Sequence, residues 1–344
     1  MANENKTTVV EQPELLEGQG KLSWQLLILK YNSLLLLAAL ILVSSLMSPF
    51  FFSYTNLVNI LRQQNNYIMI SMGLMVLMAA GGVDLGLAAL VGMGQIMTTE
   101  LLMVQKWSIG PTMLGVIVSV TVIGALSGWL VAYVGMAPFI VTLCMSYNLT
   151  GVAFLVTRGV ARQLAGAGSN IAPGTRLFLN FGQLNDPIIG LPWRFYLSLA
   201  MILVTWFVMT RTKFGRLMIA TGSNPIASRL AGIDIRRYRM SGFMIAAFAC
   251  GLCGFTMVAQ TASSSSTVGG GDYTMIAMAA TIMGGSSLEG GGGSVPFTVV
   301  GIFIMGLINN IMNLANVPAY PQYIVKACII LFSIFMRGII DAKT

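Results

Sequence analysis

Charge is what this sequence has least of. Lysine, arginine, aspartate and glutamate make up 9% of its 344 residues, against about 25% in a soluble globular chain. So few charges cannot cover a water-facing surface, which excludes an ordinary soluble domain. Histidine is absent, and with it the commonest general base and metal ligand at neutral pH. The four cysteines, Cys144, Cys250, Cys253 and Cys328, fall within apolar stretches and outline neither a disulfide framework nor a metal site. Cys250-x-x-Cys253 has the spacing of a redox or zinc half-motif, but no partner ligands stand near it. Two small residues on one intramembrane helix account for it. No Ser–Lys or paired-aspartate arrangement marks an intramembrane enzyme. The glycine run Gly284–Ser294 has the composition of a phosphate cradle, but neither it nor any other stretch ends in Gly-Lys-Ser/Thr, so a nucleotide P-loop is excluded. No metal and no cofactor of the chain's own is expected.

What is present is apolar sequence, 56% of all residues, gathered in long runs. A run of about 18 or more apolar residues is long enough to cross the hydrocarbon as a helix. A barrel would instead show short alternating segments between polar turns. The runs predict about ten spans: Leu34–Phe52, Val58–Ala79, Leu85–Val104, Met113–Val134, Phe139–Thr157, Phe195–Thr210, Phe243–Thr261, a short glycine-interrupted Tyr273–Gly284, Val295–Leu314 and Tyr320–Phe335. The net charge of +8 lies mostly between these runs, so it reports topology rather than affinity for nucleic acid. Arg211, Lys213, Arg216, Arg229, Arg236, Arg237 and Arg239 stand against one acid, Asp234, and mark loop 211–239 as cytoplasmic. An even number of spans then places both termini inside. The polar N-terminus, with Glu4, Glu11, Glu14 and Glu17, has no basic leader or small-residue cleavage site. Residues 1–24 are therefore expected to be a retained cytoplasmic tail, and 25–344 the transmembrane domain. Segment Arg158–Arg194 falls outside.

Two breaks interrupt the apolar runs in the same way. Gly81-Gly82-Val83-Asp84 precedes Leu85-Gly86-Leu87-Ala88-Ala89, and Gly270-Gly271-Asp272 precedes Tyr273-Thr274-Met275. They lie five spans apart, so the flanking helices run in opposite directions, as in an inverted-topology transporter repeat. Asp84 is expected to cap the helix that follows it and is a candidate for a polar path, because charge at membrane depth is costly and usually functional. Uncharged polar residues recur inside the spans: Gln63, Gln64, Asn65 and Asn66, then Gln95, Tyr147 and Asn148, then Asn309, Asn310 and Asn313. Amides and hydroxyls can donate to and accept from a hydroxyl-rich neutral solute, and they also join helices. In the basic loop, Asn224 and Pro225 have the order of an N-cap and first helical residue, and Gly232 can end the helix. A short helix outside the membrane follows, with Ala227, Ser228 and Ala231 on a small-residue face suited to docking.

Thr221–Ile233 resembles the cytoplasmic loop of permease subunits in bacterial ATP-binding-cassette sugar importers, the ribose, xylose and galactose permease family of the branched-chain-amino-acid-permease-like superfamily. Gly81-Gly82-Val83-Asp84-Leu85 resembles that family's Gly-Gly-(Ile/Val)-Asp-Leu segment. Met283-Gly284-Gly285-Ser286-Ser287-Leu288 with Gly290–Ser294 resembles its second glycine-rich segment, and Asn309-Asn310 follows. The order and spacing agree from about Phe50 to Arg337. The resemblance implies an all-α membrane protein with about ten transmembrane helices and an inverted-repeat, broken-helix permease architecture in the bacterial inner membrane.

It further implies a second permease subunit, identical or paralogous, a periplasmic solute-binding protein, and a cytoplasmic ATPase that binds the ATP and docks on Asn224, Pro225, Ala227, Ser228, Ala231 and Gly232. The implied function is import of a sugar or sugar-like solute by alternating access. Gly86-Leu87-Ala88-Ala89 departs from the family's Ser-Val-Gly-Ser, and if those hydroxyls meet substrate the departure implies a different or less polar solute; Glu289 stands where the family commonly has small or polar residues. The alternative is a secondary transporter driven by H⁺ or Na⁺, with Asp84 as the coupling-ion site.

Overall fold

The computed structural model describes residues 32–164, 174–265, 272–318, 320–328 and 331. Long apolar runs give helices almost throughout, because a helix satisfies its backbone polar groups within itself. They are α1 (Asn32–Met47), α2 (Tyr54–Ala79), α3 (Leu87–Thr99), α4 (Ile109–Trp129), α5 (Pro138–Thr157), α6 (Thr175–Gln183), α7 (Trp193–Arg211), α8 (Lys213–Ser223), α9 (Pro225–Leu230), α10 (Ile235–Thr261), α11 (Asp272–Met283) and α12 (Val295–Leu314). Residues 320–328 are also helical. A π-helical turn extends α3 over Glu100–Val104 and α4 over Leu130–Val134. Two short strands, β1 (Arg162–Gln163) and β2 (Ser263–Ser264), pair antiparallel.

Six of the described helical stretches are long and apolar enough to cross a membrane: Leu87–Val104, Ile109–Val134, Pro138–Thr157, Trp193–Arg211, Ile235–Thr261 and Val295–Leu314. Ser33–Met47 and Tyr273–Met283 are apolar but shorter. The 26-residue α2 carries Arg62 and the polar run behind it, yet most of its length is buried. The chain is an all-α membrane protein. The first expected span, to Phe52, stops at Met47 because the chain turns there and Phe51 O is taken by Asn56 Nδ2 at 2.9 Å. Segment 158–194, expected to be loop, holds the amphipathic α6 and β1. The tail 1–24, the break at Gly269–Gly271 and most of the tenth span beyond Ile324 fall partly or wholly outside the described residues.

Helices α2 and α10 form the centre. Their backbones meet at Gly73, where a Cβ would stand 2.8 Å from Ala249 Cβ and 2.9 Å from Ala246 Cα. Small residues permit such close approach where lipid removes the hydrophobic drive for helix pairing. The bundle has two ends. At one, Gly291 N donates to Ala79 O and Ser33 Oγ donates to Met283 O. At the other, Tyr54 OH donates to Gly190 O, β1 pairs with β2, and Arg162 is ion-paired with Glu100.

Two helices start halfway between these ends. Tyr67, at the middle of α2, stacks on Tyr273 in the first turn of α11 with ring centroids 5.0 Å apart. Ala88 N, in the first turn of α3, donates to Thr274 Oγ1 at 3.1 Å. From this shared depth α3 runs to the β1–β2 end, where Thr99 Oγ1 meets Ser264 Oγ at 2.7 Å. Helix α11 runs to the other end, at Met283. The irregular backbone that precedes α3 is covered by protein, as hydrocarbon requires.

Candidate transport path and docking helix

The polar run of α2 points into the bundle. Gln64, Asn65 and Asn66 are all buried. The loop that delivers α7 beside them is fixed by Asp186, whose carboxylate accepts from Ile188 N at 3.1 Å and Tyr196 OH at 2.8 Å. These bonds, Ile188 first, hold its carboxyl below the usual range. The second residue of α7 is Arg194, 1% exposed. Its guanidinium donates to Gln260 Oε1, to Asn66 Oδ1 and, at 3.4 Å, to Thr256 Oγ1. All three acceptors are neutral. Arg194 Nε, both polar atoms of the Asn65 side chain and Gln64 Oε1 are buried with no hydrogen-bond partner among the described residues. A buried guanidinium held by amides, beside unsatisfied amides, is costly to maintain and can offer donors and acceptors to a hydroxylated solute. By sequence Arg194 closes the segment expected to lie outside. The signal was its place at the head of an apolar run, directly after Pro192-Trp193.

Asp84 is also buried, but it does not occupy the N-cap position. The cap residue of α3 is Gly86, and Asp84 Oδ1 accepts from Gly86 N at 2.6 Å. The chain stays non-helical through Gly82–Leu85 to reach mid-depth, so the carboxylate closes a turn two residues before the helix. Gln95 is buried on α3. The asparagines of α12 differ in burial. Asn310 is buried and exchanges amide hydrogen bonds with Asn56 of α2, at 2.7 and 3.2 Å. Asn309 is half-buried. Asn313 is exposed and accepts from Gln322 Nε2 at 3.0 Å. Tyr147, 74% exposed, and Asn148, also exposed, lie on the outside of α5, away from the α2 cluster.

The Asn56–Asn310 pair has a direct test. Asn310→Leu leaves Asn56 Oδ1 buried without its donor and is expected to cost about 1–3 kcal/mol, and adding Asn56→Leu recovers only part of that loss because it also removes the bond to Phe51 O. Thermal unfolding of the single and double variants in detergent measures both.

Helix α9 forms as its sequence predicts. Asn224 Oδ1 accepts from Ala227 N at 2.9 Å, Pro225 opens the helix, and Gly232 follows its end at φ +76°. Ser228 turns inward, its Oγ donating to Ala220 O at 3.0 Å, so α9 is pinned to the last turn of α8. Ala227 and Ala231 face out. Beside them Ile226 is 75% and Leu230 86% exposed. An open hollow of about 550 Å³ adjoins the helix, lined by Phe214 and Leu217 of α8, Ile233, Asp234, and Tyr238 and Ser241 of α10. Arg229, Arg236 and Arg237 stand exposed around it. Ile226 and Leu230, an i, i+4 pair that lies on one helical face, add an apolar contact to the small residues expected for docking.

A bundle of apolar helices with a polar interior, two helices starting at mid-depth and an exposed helix beyond one end defines a membrane permease. The chain belongs to the family described as branched-chain amino acid transport system / permease component, matched over residues 56–334. It is 30% identical to the ribose import permease protein RbsC of Escherichia coli (strain K12), over 90% of this chain and 94% of that one. It is 28% identical to the D-allose transport system permease protein AlsC of the same organism, over 91% and 92%. Identity to the L-arabinose transport system permease protein AraH, also of that organism, is 26%, over 89% of each chain. No solved structure matches the chain.

Proposed function

We propose that this chain is the membrane-spanning subunit of an ATP-driven importer for a neutral pentose or hexose, in the bacterial inner membrane. The observation that carries the reading is α9: a capped helix outside the bundle that exposes Ile226 and Leu230 on a basic end. A cytoplasmic ATPase docks there and binds the ATP, so this chain holds none. The basic residues of 211–239 support a cytoplasmic location for that end, and the β1–β2 end then receives a periplasmic solute-binding protein. The names of the relatives support a sugar as solute.

Within the bundle, Gln64, Asn65, Asn66 and Arg194 line the solute path together with Gln95 of α3, and Asp84 lies at the turn before that helix. Tyr147 and Asn148, polar residues on an exposed helix, lie where a second permease subunit would cover α5. That copy would complete the path between the two subunits.

The purified chain is expected to hydrolyse no ATP. Co-expressed with its ATPase it is expected to form a complex whose hydrolysis rises when the sugar-loaded binding protein is added. Ala227→Arg, which sets a long cation on the outward face of α9, is expected to reduce recovery of the ATPase on purification about tenfold, the effect of roughly 1.4 kcal/mol. Unchanged recovery would remove α9 from the docking surface.

A further inference from the structure

We propose that a glycine joint links the docking helix to both mid-depth helices, with Gly222 and Gly290 as positioning residues for transport; the inference rests on the reading of α9 as the ATPase dock. Helices α8 and α9 act as one piece at their junction, because Asn224 N and Ser228 Oγ both donate to Ala220 O, at 3.1 and 3.0 Å. Gly222 lies in that last turn of α8. A Cβ on it would stand 2.0 Å from Ala79 O and 2.6 Å from Gly291 N, both backbone atoms. Gly290, at φ +110°, would set a Cβ 2.7 Å from Gly81 Cα and 2.8 Å from Gly222 O. Gly291 N donates to Ala79 O at 3.3 Å. Three backbones therefore touch with no side chain between them: the end of α2, the end of α8 and the loop between α11 and α12.

Each of the three leads to a working part. The end of α2 continues through the Asp84 turn into α3. The glycine loop is tied to the end of α11 by Gly293 N on Gly285 O at 3.1 Å and Ser294 N on Gly284 O at 2.9 Å. Helices α3 and α11 then meet at mid-depth through Ala88 N and Thr274 Oγ1. A side-chain contact can yield by changing rotamer. A backbone contact between packed glycines has no such slack, so a shift of α9 reaches α3 and α11 together. Packing alone would explain one glycine against one helix. It does not explain three glycine-lined segments that converge on the residue three positions before the docking helix, two of them tied to the helices that start in the membrane.

The test uses the complete importer, reconstituted in proteoliposomes with its ATPase. ATP hydrolysis is measured with and without the binding protein, in the presence of D-ribose, D-allose and L-arabinose. Gly222→Ala is expected to retain ATPase binding and basal hydrolysis but to lose about tenfold of the stimulation by the binding protein, within the range that packed networks carry between sites. Ser223→Leu supplies a second variant that does not rely on a buried position. Ser223 is exposed, and its Cβ lies 2.9 Å from where a Cβ on Gly291 would stand. A larger side chain there wedges the loop away, whereas Ser223→Ala does not. The expected order of stimulation is unaltered chain and Ser223→Ala together, then Ser223→Leu, then Gly222→Ala. Full stimulation in both Gly222→Ala and Ser223→Leu would overturn the joint, and so would a loss of basal hydrolysis in proportion to stimulation. If the unaltered chain fails to bind the ATPase, the docking reading fails, and the joint with it.

Discussion

With glutamate at both Ile226 and Leu230, the importer is expected not to assemble, while the membrane domain remains folded. Both side chains project from α9 and are more exposed than most of the chain's apolar residues outside the bundle faces, so their replacement disturbs no packing. Burying one such side chain against a partner gives about 1.5–3 kcal/mol. The pair accounts for about 3–6 kcal/mol, which corresponds to roughly a hundredfold to ten-thousandfold in affinity for the ATPase. The new carboxylates also sit beside Arg229, where they reverse the local charge offered to the partner. Recovery of the ATPase with the tagged permease, compared at equal expression, gives the result. The helix itself should survive, because Asn224 still caps it and Ser228 still holds it to α8. Wild-type recovery of the ATPase would show that α9 is only a connecting helix.

The second large effect is expected at Arg194. Its guanidinium joins α7 to α2 and α10 through Asn66, Thr256 and Gln260. Arg194→Met keeps most of the volume but leaves two amide oxygens unpaired, at about 1–3 kcal/mol each. It also removes the only cation of the cluster. Uptake is expected to fall about a hundredfold, the scale of 2.8 kcal/mol, with ATPase binding retained because α9 lies at the opposite end. Arg194→Lys keeps the charge, but a single ammonium lacks the planar fork that reaches three acceptors at once, so an intermediate loss is expected. Uptake by membrane vesicles of matched permease content separates the three proteins. Equal uptake by all of them would reduce Arg194 to a packing residue.

The six long spans were legible in the sequence because lipid demands length and apolarity, and both are local properties. Helix α9 was legible for the same reason: Asn224, Pro225 and Gly232 act on their immediate neighbours. Other features depend on where distant segments meet. The burial of Arg194 follows from the turn that Asp186 fixes and from the position of Gln260, 66 residues away. The half-depth start of α11 follows from Tyr67 on Tyr273. Tyr147 and Asn148 read as interior residues because a helix in lipid has no polar outer face to show which side is in. The helical period sets Asn309, Asn310 and Asn313 within one arc, but only Asn310 is buried, and Asn313 is exposed one residue before the helix ends. Asp84 was placed in the right turn but given the wrong position in it, since the extended path through Gly82–Leu85 could not be read from the residues.

The account turns on whether this chain moves solute only under the power of an ATPase it does not contain. The most direct measurement is uptake of radiolabelled D-ribose, D-allose and L-arabinose into proteoliposomes, with the binding protein outside and ATP inside, with and without the ATPase. Accumulation of at least one sugar that requires both ATP and the ATPase, and that disappears with Ile226→Glu and Leu230→Glu, is the predicted result. Accumulation by the chain alone on a proton or sodium gradient, without ATP, would contradict the account.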